Sequence, residues 1–348
     1  NEAVELAKIR GGRKAAGFVN GVLRNLLREA RSGGEIPTDG SVSSLAIQYS
    51  HPEWLARRWL SDFGAEKAAA LMRANNEKPP LILRANLLRC TRDELIKRLL
   101  SARIDATATL LSPQGIRLPS GGAIESLPGF AEGSFQVQAE ASQLVAFMLS
   151  PLTGERILDA CAAPGGKSTH IAELMQDKGE LIAADTSARG VERIRQNVSR
   201  LGLNSVRVLR ADAGEPFREA TAASYDRLLV DAPCSGLGTL RAHPEIKWHR
   251  DENDVRRLSR LQLKLLHRVS ADLKPGGVLV YSTCTLTREE NEENVIRFLA
   301  EHHEFELQDA ARYLPPQARH MVRGSYFEAL PHRDNTDGFF AARMRKVS

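Results

Sequence analysis

Cysteine is scarce in this 348-residue chain. Cys90, Cys161, Cys234 and Cys284 lie far apart, with no C-x-x-C pair and no Cys/His cluster. That excludes a disulfide framework and a zinc site of the ribbon or finger kind. No apolar run approaches the ~18–20 residues of a helical bilayer span, so an integral membrane protein of that kind is excluded as well. The start, Asn1-Glu2-Ala3, has no signal-peptide layout and no initiator Met, so a processed or partial N-terminus is expected. A cytoplasmic location follows as the expectation, where a reduced thiol can serve chemistry. Hydrophobic residues make up 42% and charged residues 26%, ordinary for a globular chain of two or three domains at roughly 100–200 residues each.

The net charge of +5 is unevenly spread. Residues 1–130 hold 19 Lys and Arg against 13 Asp and Glu; the remainder holds 29 against 30. A basic front on a neutral rear suits a phosphate-bearing partner. A solvated face with surplus arginine accounts for the same counts equally well.

Residues 1–75 read as helical. Phe18, Val22, Leu23, Leu26 and Leu27 recur at helical spacing, and Trp54, Leu55, Trp59, Leu60 and Phe63 continue it, with Ser50 and Pro52 as a helix start. So few short helices cannot bury much surface alone, so they are expected to lean on the rest. Residues 76–134 form a small basic α/β module. It comprises a strand Leu81–Ala85, a helix over 92–102 opened by Thr91, and extended pieces over 106–111 and Gly115–Leu118. From 135 to 348 strands alternate with helices. Strands are expected over 156–160, 181–185, Val206–Arg210, 227–231 and 277–282, with helices over 139–148, 254–273 and 289–300. Short apolar strands separated by helices predict a doubly wound, mostly parallel α/β sheet.

In such sheets ligands bind beyond the carboxyl ends of the strands. The first strand ends in Asp159-Ala160-Cys161-Ala162-Ala163-Pro164-Gly165-Gly166-Lys167. Small residues and glycines let backbone approach a ligand, and a helix N-terminus follows. The next three strands end in Asp185, Asp212 and Asp231, and four strand-end carboxylates are not a core requirement. A dinucleotide fingerprint G-x-G-x-x-G is absent. Gly166-Lys167-Ser168 matches the tail of a P-loop, yet its first glycine would fall on Cys161, and Pro164 removes an N–H from the cradle. S-adenosylmethionine, with hydroxyls and an amine for acidic acceptors, fits best. No metal site is expected.

Cys234 and Cys284 each stand just past a strand end, in Asp231-Ala232-Pro233-Cys234-Ser235-Gly236 and Ser282-Thr283-Cys284-Thr285. Cys90 reads as a small buried hydrophobe. Two thiols beside a carboxylate suit methylation of a pyrimidine ring carbon. A thiolate adding to carbon 6 makes carbon 5 nucleophilic, and a carboxylic acid near ring nitrogen 3 assists. The attacking thiol then needs a depressed pKa, with Lys167 as the source of positive potential. Methylation of a protein or a small molecule, and a non-catalytic RNA-binding or nucleotide-hydrolysing role, stand as alternatives. Neither needs the cysteine pair.

These motifs together resemble the RNA cytosine-5 methyltransferases of the Sun (Fmu/NSUN) group, and in particular its bacterial members that act on small-subunit ribosomal RNA. The resemblance extends to Phe135-Gln136-Val137-Gln138-Ala139-Glu140, to Arg241-Ala242-His243-Pro244-Glu245-Ile246-Lys247-Trp248 and to Asp337-Gly338-Phe339-Phe340. It implies a Rossmann-like methyltransferase domain with an antiparallel last strand, the small module before it, and the end of a NusB-like helical RNA-binding domain at the front. It implies Cys284 as nucleophile, Cys234 as the cysteine assisting release, and Cys161, Ala162, Ala163, Pro164, Gly165, Gly166 and Lys167 as the S-adenosylmethionine loop. Asp185 is the implied ribose acceptor, Asp212 the adenine contact, and Asp231 the carboxylate near methionine moiety and target base. An arginine that relatives tend to carry five residues after the ribose Asp is Gly190 here. Ribosomal RNA is the implied partner, with Arg84, Arg89, Arg92, Lys97 and Arg98 expected on its phosphates, and a monomer is the expected state.

Overall fold

A computed structural model describes residues 2–31, 40–119, 122–215, 217 and 224–347. Its first helix, α1 (Glu2–Arg31), is broken at Gly12, which takes φ +71°. The apolar residues that mark α1 as amphipathic, Phe18, Leu26 and Leu27 among them, are exposed. By contrast α2 (Val42–Gln48), α3 (Glu53–Phe63) and α4 (Ala65–Asn75) do lean on the later chain. Leu55, Trp59, Leu71 and Met72 pack with Leu237, Leu240, Leu286 and Leu330 in one core. Pro52, not Ser50, occupies the N-cap of α3, and Ser50 itself takes a left-handed φ of +54°. Among the described residues no helix is long and apolar enough to cross a membrane.

The small module is antiparallel. Its strands β1 (Leu81–Ala85), β2 (Thr107–Ala108), β3 (Gly115–Leu118) and β4 (Phe135–Val137) run in the order β2-β3-β1-β4. Helix α5 (Arg92–Ser101) starts at a capping box, Thr91 accepting from the Glu94 N–H and Glu94 reaching back. Two expectations shift here. The extended stretch over 106–111 shrinks to two paired residues. Strand β4, read from sequence with the third segment, hydrogen-bonds to β1 instead.

The large unit has a nine-stranded sheet. In chain order it contains α6 (Glu140–Leu149), β5 (Arg156–Asp159), α7 (Gly166–Leu174), β6 (Glu180–Asp185), α8 (Ala188–Leu201), β7 (Val206–Arg210) and β8 (Tyr225–Asp231). Then follow α9 (Ile246–His249), α10 (Glu252–Ser270), β9 (Leu273–Thr283), α11 (Glu292–Glu301), β10 (Phe305–Gln308), β11 (Val322–Arg323), β12 (Tyr326–Ala329), α12 (Pro331–Asp334) and β13 (Phe339–Lys346). Strands β7-β6-β5-β8-β9 are parallel, and β13, β12 and β11 extend the β9 edge antiparallel, with β10 pairing β13. One antiparallel strand was expected; four are present. Parallel neighbours need a crossover of about a dozen residues or more, and the short β11–β12 and β12–β13 connections cannot supply one.

Apolar side chains cover both faces of this sheet, Leu144, Ile171 and Ile194 in one core and Leu228, Leu266 and Phe298 in the other. That is why its strands read as continuous apolar runs. Strand order reverses between β5, which leads outward to β6 and β7, and β8, which leads the other way to β9. A crevice opens there, beyond the strand ends.

Candidate active site

The crevice has a volume of about 520 Å³, and Asp185, Asp212, Asp231, Cys161, Cys234 and Cys284 all line it. Three of the four strand-end carboxylates therefore face ligand space. Asp159 does not: it is 1% exposed, accepts from Ser168 Oγ at 2.6 Å, and burial lifts its pKa to about 7. Its work is internal, tying β5 to the first turn of α7.

The glycine-rich loop divides in the same way. Cys161 and Ala163 line the crevice, whereas Ala162 is packed in the core and its N–H donates to the Ala184 carbonyl. Pro164, on a cis peptide bond, offers its carbonyl to Asn197. Gly165, at φ +99°, begins α7 against Ile194, where a Cβ would stand 3.3 Å from the Ile194 Cα. Gly166 gives its carbonyl to Arg84 at 2.7 Å. So Ala162, Pro164, Gly165 and Gly166 brace the loop rather than line the crevice. Lys167 likewise serves a neighbour: its ammonium lies 2.6 Å from Asp231 Oδ2 and 4.9 Å from the centre of the Phe339 ring.

Asp185 accepts from the N–H groups of Ala163 (3.1 Å) and Ser187 (2.8 Å), which fixes its carboxylate at the end of β6. A Cβ at Gly190 would stand 2.8 Å from the Ala163 Cβ and 2.9 Å from Asp185 Oδ1. The residue that departs from the expected arginine thus leaves this acceptor uncrowded. Asp231 is held twice, by Lys167 and by Ser282 Oγ at 2.7 Å. A ring of three carboxylates repels a triphosphate and suits hydroxyl and amine donors.

All four cysteines are free thiols. Cys234 Sγ lies 3.1 Å from Cys284 Sγ, and the Cys284 N–H donates to Cys234 Sγ at 3.3 Å. Both are half-buried at the crevice. Contact with the Cys284 thiol, then burial, push the Cys234 thiol well above its ordinary pKa. Burial, then the surrounding carboxylates, do the same to Cys161, which keeps it protonated and inert.

Behind the pair is a residue that sequence reasoning missed. The fully buried Glu290 accepts from the Ser235 N–H (2.8 Å), Ser235 Oγ (2.6 Å), Gln262 Nε2 (2.9 Å) and Thr287 Oγ1 (2.7 Å). Only its place in Glu289-Glu290-Asn291-Glu292, five to eight residues past Cys284, hinted at it.

The basic residues of the small module fare differently. Arg84 is not on the surface. It is fully buried, paired with Glu173 at 2.7 Å and bonded to Thr169, Gln138 and the Gly166 carbonyl, so it cannot touch RNA. Arg98 is paired with Glu132, and Arg92, half-buried, lies 3.6 Å from Asp93. Arg89, whose guanidinium passes over Gly202, and Lys97 are exposed.

A doubly wound sheet with this strand order, a carboxylate-ringed crevice at its reversal point and an antiparallel extension defines the class of Rossmann-like methyltransferases. Comparison with known proteins specifies it further. Residues 146–345 match the family described as 16S rRNA methyltransferase RsmB/F, residues 51–125 its ferredoxin-like domain, and residues 1–28 the NusB family. The chain belongs to the RsmB/F methyltransferase family. It is 41% identical to the probable ribosomal RNA small subunit methyltransferase B of Bacillus subtilis, covering 99% of this chain and 77% of that one. With the ribosomal RNA small subunit methyltransferase B of Vibrio vulnificus the identity is 39% over the same shares. A crystal structure of a methyltransferase homolog from Pyrococcus horikoshii superposes with a TM-score of 0.74 at 29% identity, covering 88% of this chain and 98% of that one. The fold is shared too with NSun6 from the same organism, solved with SFG, at a TM-score of 0.77 and 24% identity, over 85% and 98% of the two chains.

Proposed function

We propose that this protein transfers a methyl group from S-adenosylmethionine to carbon 5 of a cytosine in small-subunit ribosomal RNA. The observation that carries the reading is the 3.1 Å approach of Cys234 and Cys284 at a crevice ringed by carboxylates. N- or O-methylation needs no such pair. The division that goes with it is a helical segment over 1–75, a small basic module ending at β4, and the catalytic domain beyond.

Bound S-adenosylmethionine supplies an electrophilic methyl group on a sulfonium sulfur. Asp185 is suited to accept from ribose hydroxyls and Asp212 from the adenine, beside the backbone of Cys161 and Ala163. Cys284 is the nucleophile. Its sulfur bonds to ring carbon 6, which makes carbon 5 electron-rich enough to take a methyl group. Asp231, fixed by Lys167 and Ser282, stands where charge on the ring is balanced. Transfer of the carbon-5 proton to water in the open crevice then breaks the carbon–sulfur bond, and the electron pair returns to sulfur. Cys234 keeps its proton because of its raised pKa, and an S–H 3.1 Å away can meet the departing Cys284 sulfur.

A cytosine inside a duplex cannot reach this thiol, so the base must be unpaired or flipped out, at a cost of roughly a few kcal/mol. Arg89 and Lys97 are exposed cations of the small module suited to grip phosphates. Reversing both charges should weaken RNA binding and flatten its salt dependence by about 0.7 per lost single-strand contact. An unchanged slope assigns the grip elsewhere.

The test of the chemistry is covalent trapping. Cys234→Ala protein incubated with ribosomal RNA and S-adenosylmethionine should accumulate a protein–RNA adduct stable to denaturing electrophoresis. Cys284→Ala protein should form none. Methylation surviving in Cys284→Ala protein would overturn the assignment.

A further inference from the structure

A second cavity, of about 450 Å³, opens between the small module and the catalytic unit, within the ~300–1,000 Å³ range of small-ligand sites. Its lining includes the apolar Pro79, Pro80 and Val137 and the polar Arg241, His243 and Asp337. Two of these polar groups keep an unmet hydrogen-bonding capacity. Arg241 is 5% exposed, with Nη1 on Asn335 at 3.2 Å and Nη2 3.7 Å from Glu77, yet its Nε has no partner. Asp337 is half-buried and makes no hydrogen bond among the described residues. Arg241 Nε is enclosed, so the carboxylate of Asp337, which faces the Arg241 and His243 charges without a hydrogen bond, is the group open to a ligand.

The cavity lies next to the nucleophile. The Gly238 N–H donates to the Cys284 carbonyl at 3.0 Å, and the Gly338 N–H donates to the Gly238 carbonyl at 2.7 Å. Asp337 immediately precedes Gly338. A Cβ at Gly238 would stand 2.2 Å from the Gly338 carbonyl oxygen and 2.9 Å from that of Cys284. Three backbone segments therefore touch beside the nucleophile.

We propose that this cleft receives the unpaired nucleotide adjacent to the target cytosine and favours guanine. The proposal rests on the reading of the chain as an RNA cytosine-5 methyltransferase. Single-stranded RNA is read by stacking and by hydrogen bonds to base edges. The prolines offer an apolar face to the ring. Guanine alone among the four bases presents two adjacent N–H groups, N1 and N2, to one carboxylate, here that of Asp337.

Bisulfite mapping of RNA methylated by the wild-type enzyme locates the target. Short RNAs then carry guanosine, inosine, adenosine or an abasic site on each side of it. On one side guanosine should exceed inosine and the abasic site about tenfold or more in kcat/KM. Asp337→Ala and the isosteric Asp337→Asn should abolish that discrimination while S-adenosylmethionine affinity stays constant. Discrimination absent from the wild type, or retained in whichever variant folds, overturns the proposal. Absence of 5-methylcytosine from every wild-type reaction would instead overturn the functional reading, and the cleft assignment with it.

Discussion

Ser235 and Thr285, the residues that follow the two crevice cysteines, meet hydroxyl to hydroxyl at 2.6 Å, and both reach the buried carboxylate of Glu290. The thiols are therefore not held by their own contact alone. Two loops from different strands are fastened one residue further on, by an acceptor that satisfies both.

Replacing Glu290 with Gln should consequently affect catalysis and stability together. The amide brings a donor where the Ser235 N–H, Ser235 Oγ and Thr287 Oγ1 all donate, so at least one bond is lost and another becomes repulsive. An unmade bond to a buried charged acceptor costs about 1.5–3 kcal/mol, measurable by urea denaturation. Single-turnover methylation should slow at saturating RNA and S-adenosylmethionine. A variant equally destabilised by Leu144→Ala, in the core on the other side of the sheet, should keep its single-turnover rate.

Arg84 gives a second expectation, opposite to that of a phosphate contact. Removing it strands Glu173, whose carboxyl burial already pushes up in spite of the arginine. Arg84→Met should destabilise by about 3–5 kcal/mol. The double variant with Glu173→Met should recover most of that loss, because the uncompensated charge leaves too. Release of the Gly166 carbonyl should also loosen the loop before α7, so S-adenosylmethionine affinity falls in the single variant. The salt dependence of RNA binding should not change.

Arg84 also marks where sequence reading stops. Asp185, Asp231, Cys234 and Cys284 were legible because each follows an apolar strand directly, and a parallel sheet delivers every strand end to the same edge. The direction of Arg84 depends on Glu173, 89 residues away. Its strand shows only a charge among apolar neighbours, which reads equally as a surface position. Asp159 was misjudged for a related reason. A strand-end carboxylate faces ligand space unless a hydroxyl such as that of Ser168 captures it from behind. The contact of Gly338 with Gly238 beside Cys284 joins segments a hundred residues apart, and nothing in either local pattern signals it.

The last expectation concerns acid. His51 is 3% exposed, its Nδ1–H donates to the Tyr49 carbonyl at 2.7 Å, and its Nε2 has no partner. Burial, then the Lys247 charge, lower its pKa to about 4 from 6.5. The folded state therefore refuses a proton that the unfolded chain takes. Stability is complete above pH 6.5, falls as pH drops, and stops falling near pH 4. The full difference is on the order of 3 kcal/mol. Asp159 acts in the reverse sense, since its raised pKa adds stability that is full below pH 3.8 and fades as pH rises towards 7. The two slopes overlap, so the wild-type curve alone cannot separate them. The difference between wild type and His51→Leu can, because Asp159 is common to both. Urea denaturation from pH 7.5 to 4.5 should show the variant gaining on the wild type steadily below pH 6.5. A constant difference across that range would mean that His51 takes its proton as readily in the folded protein as in the unfolded chain.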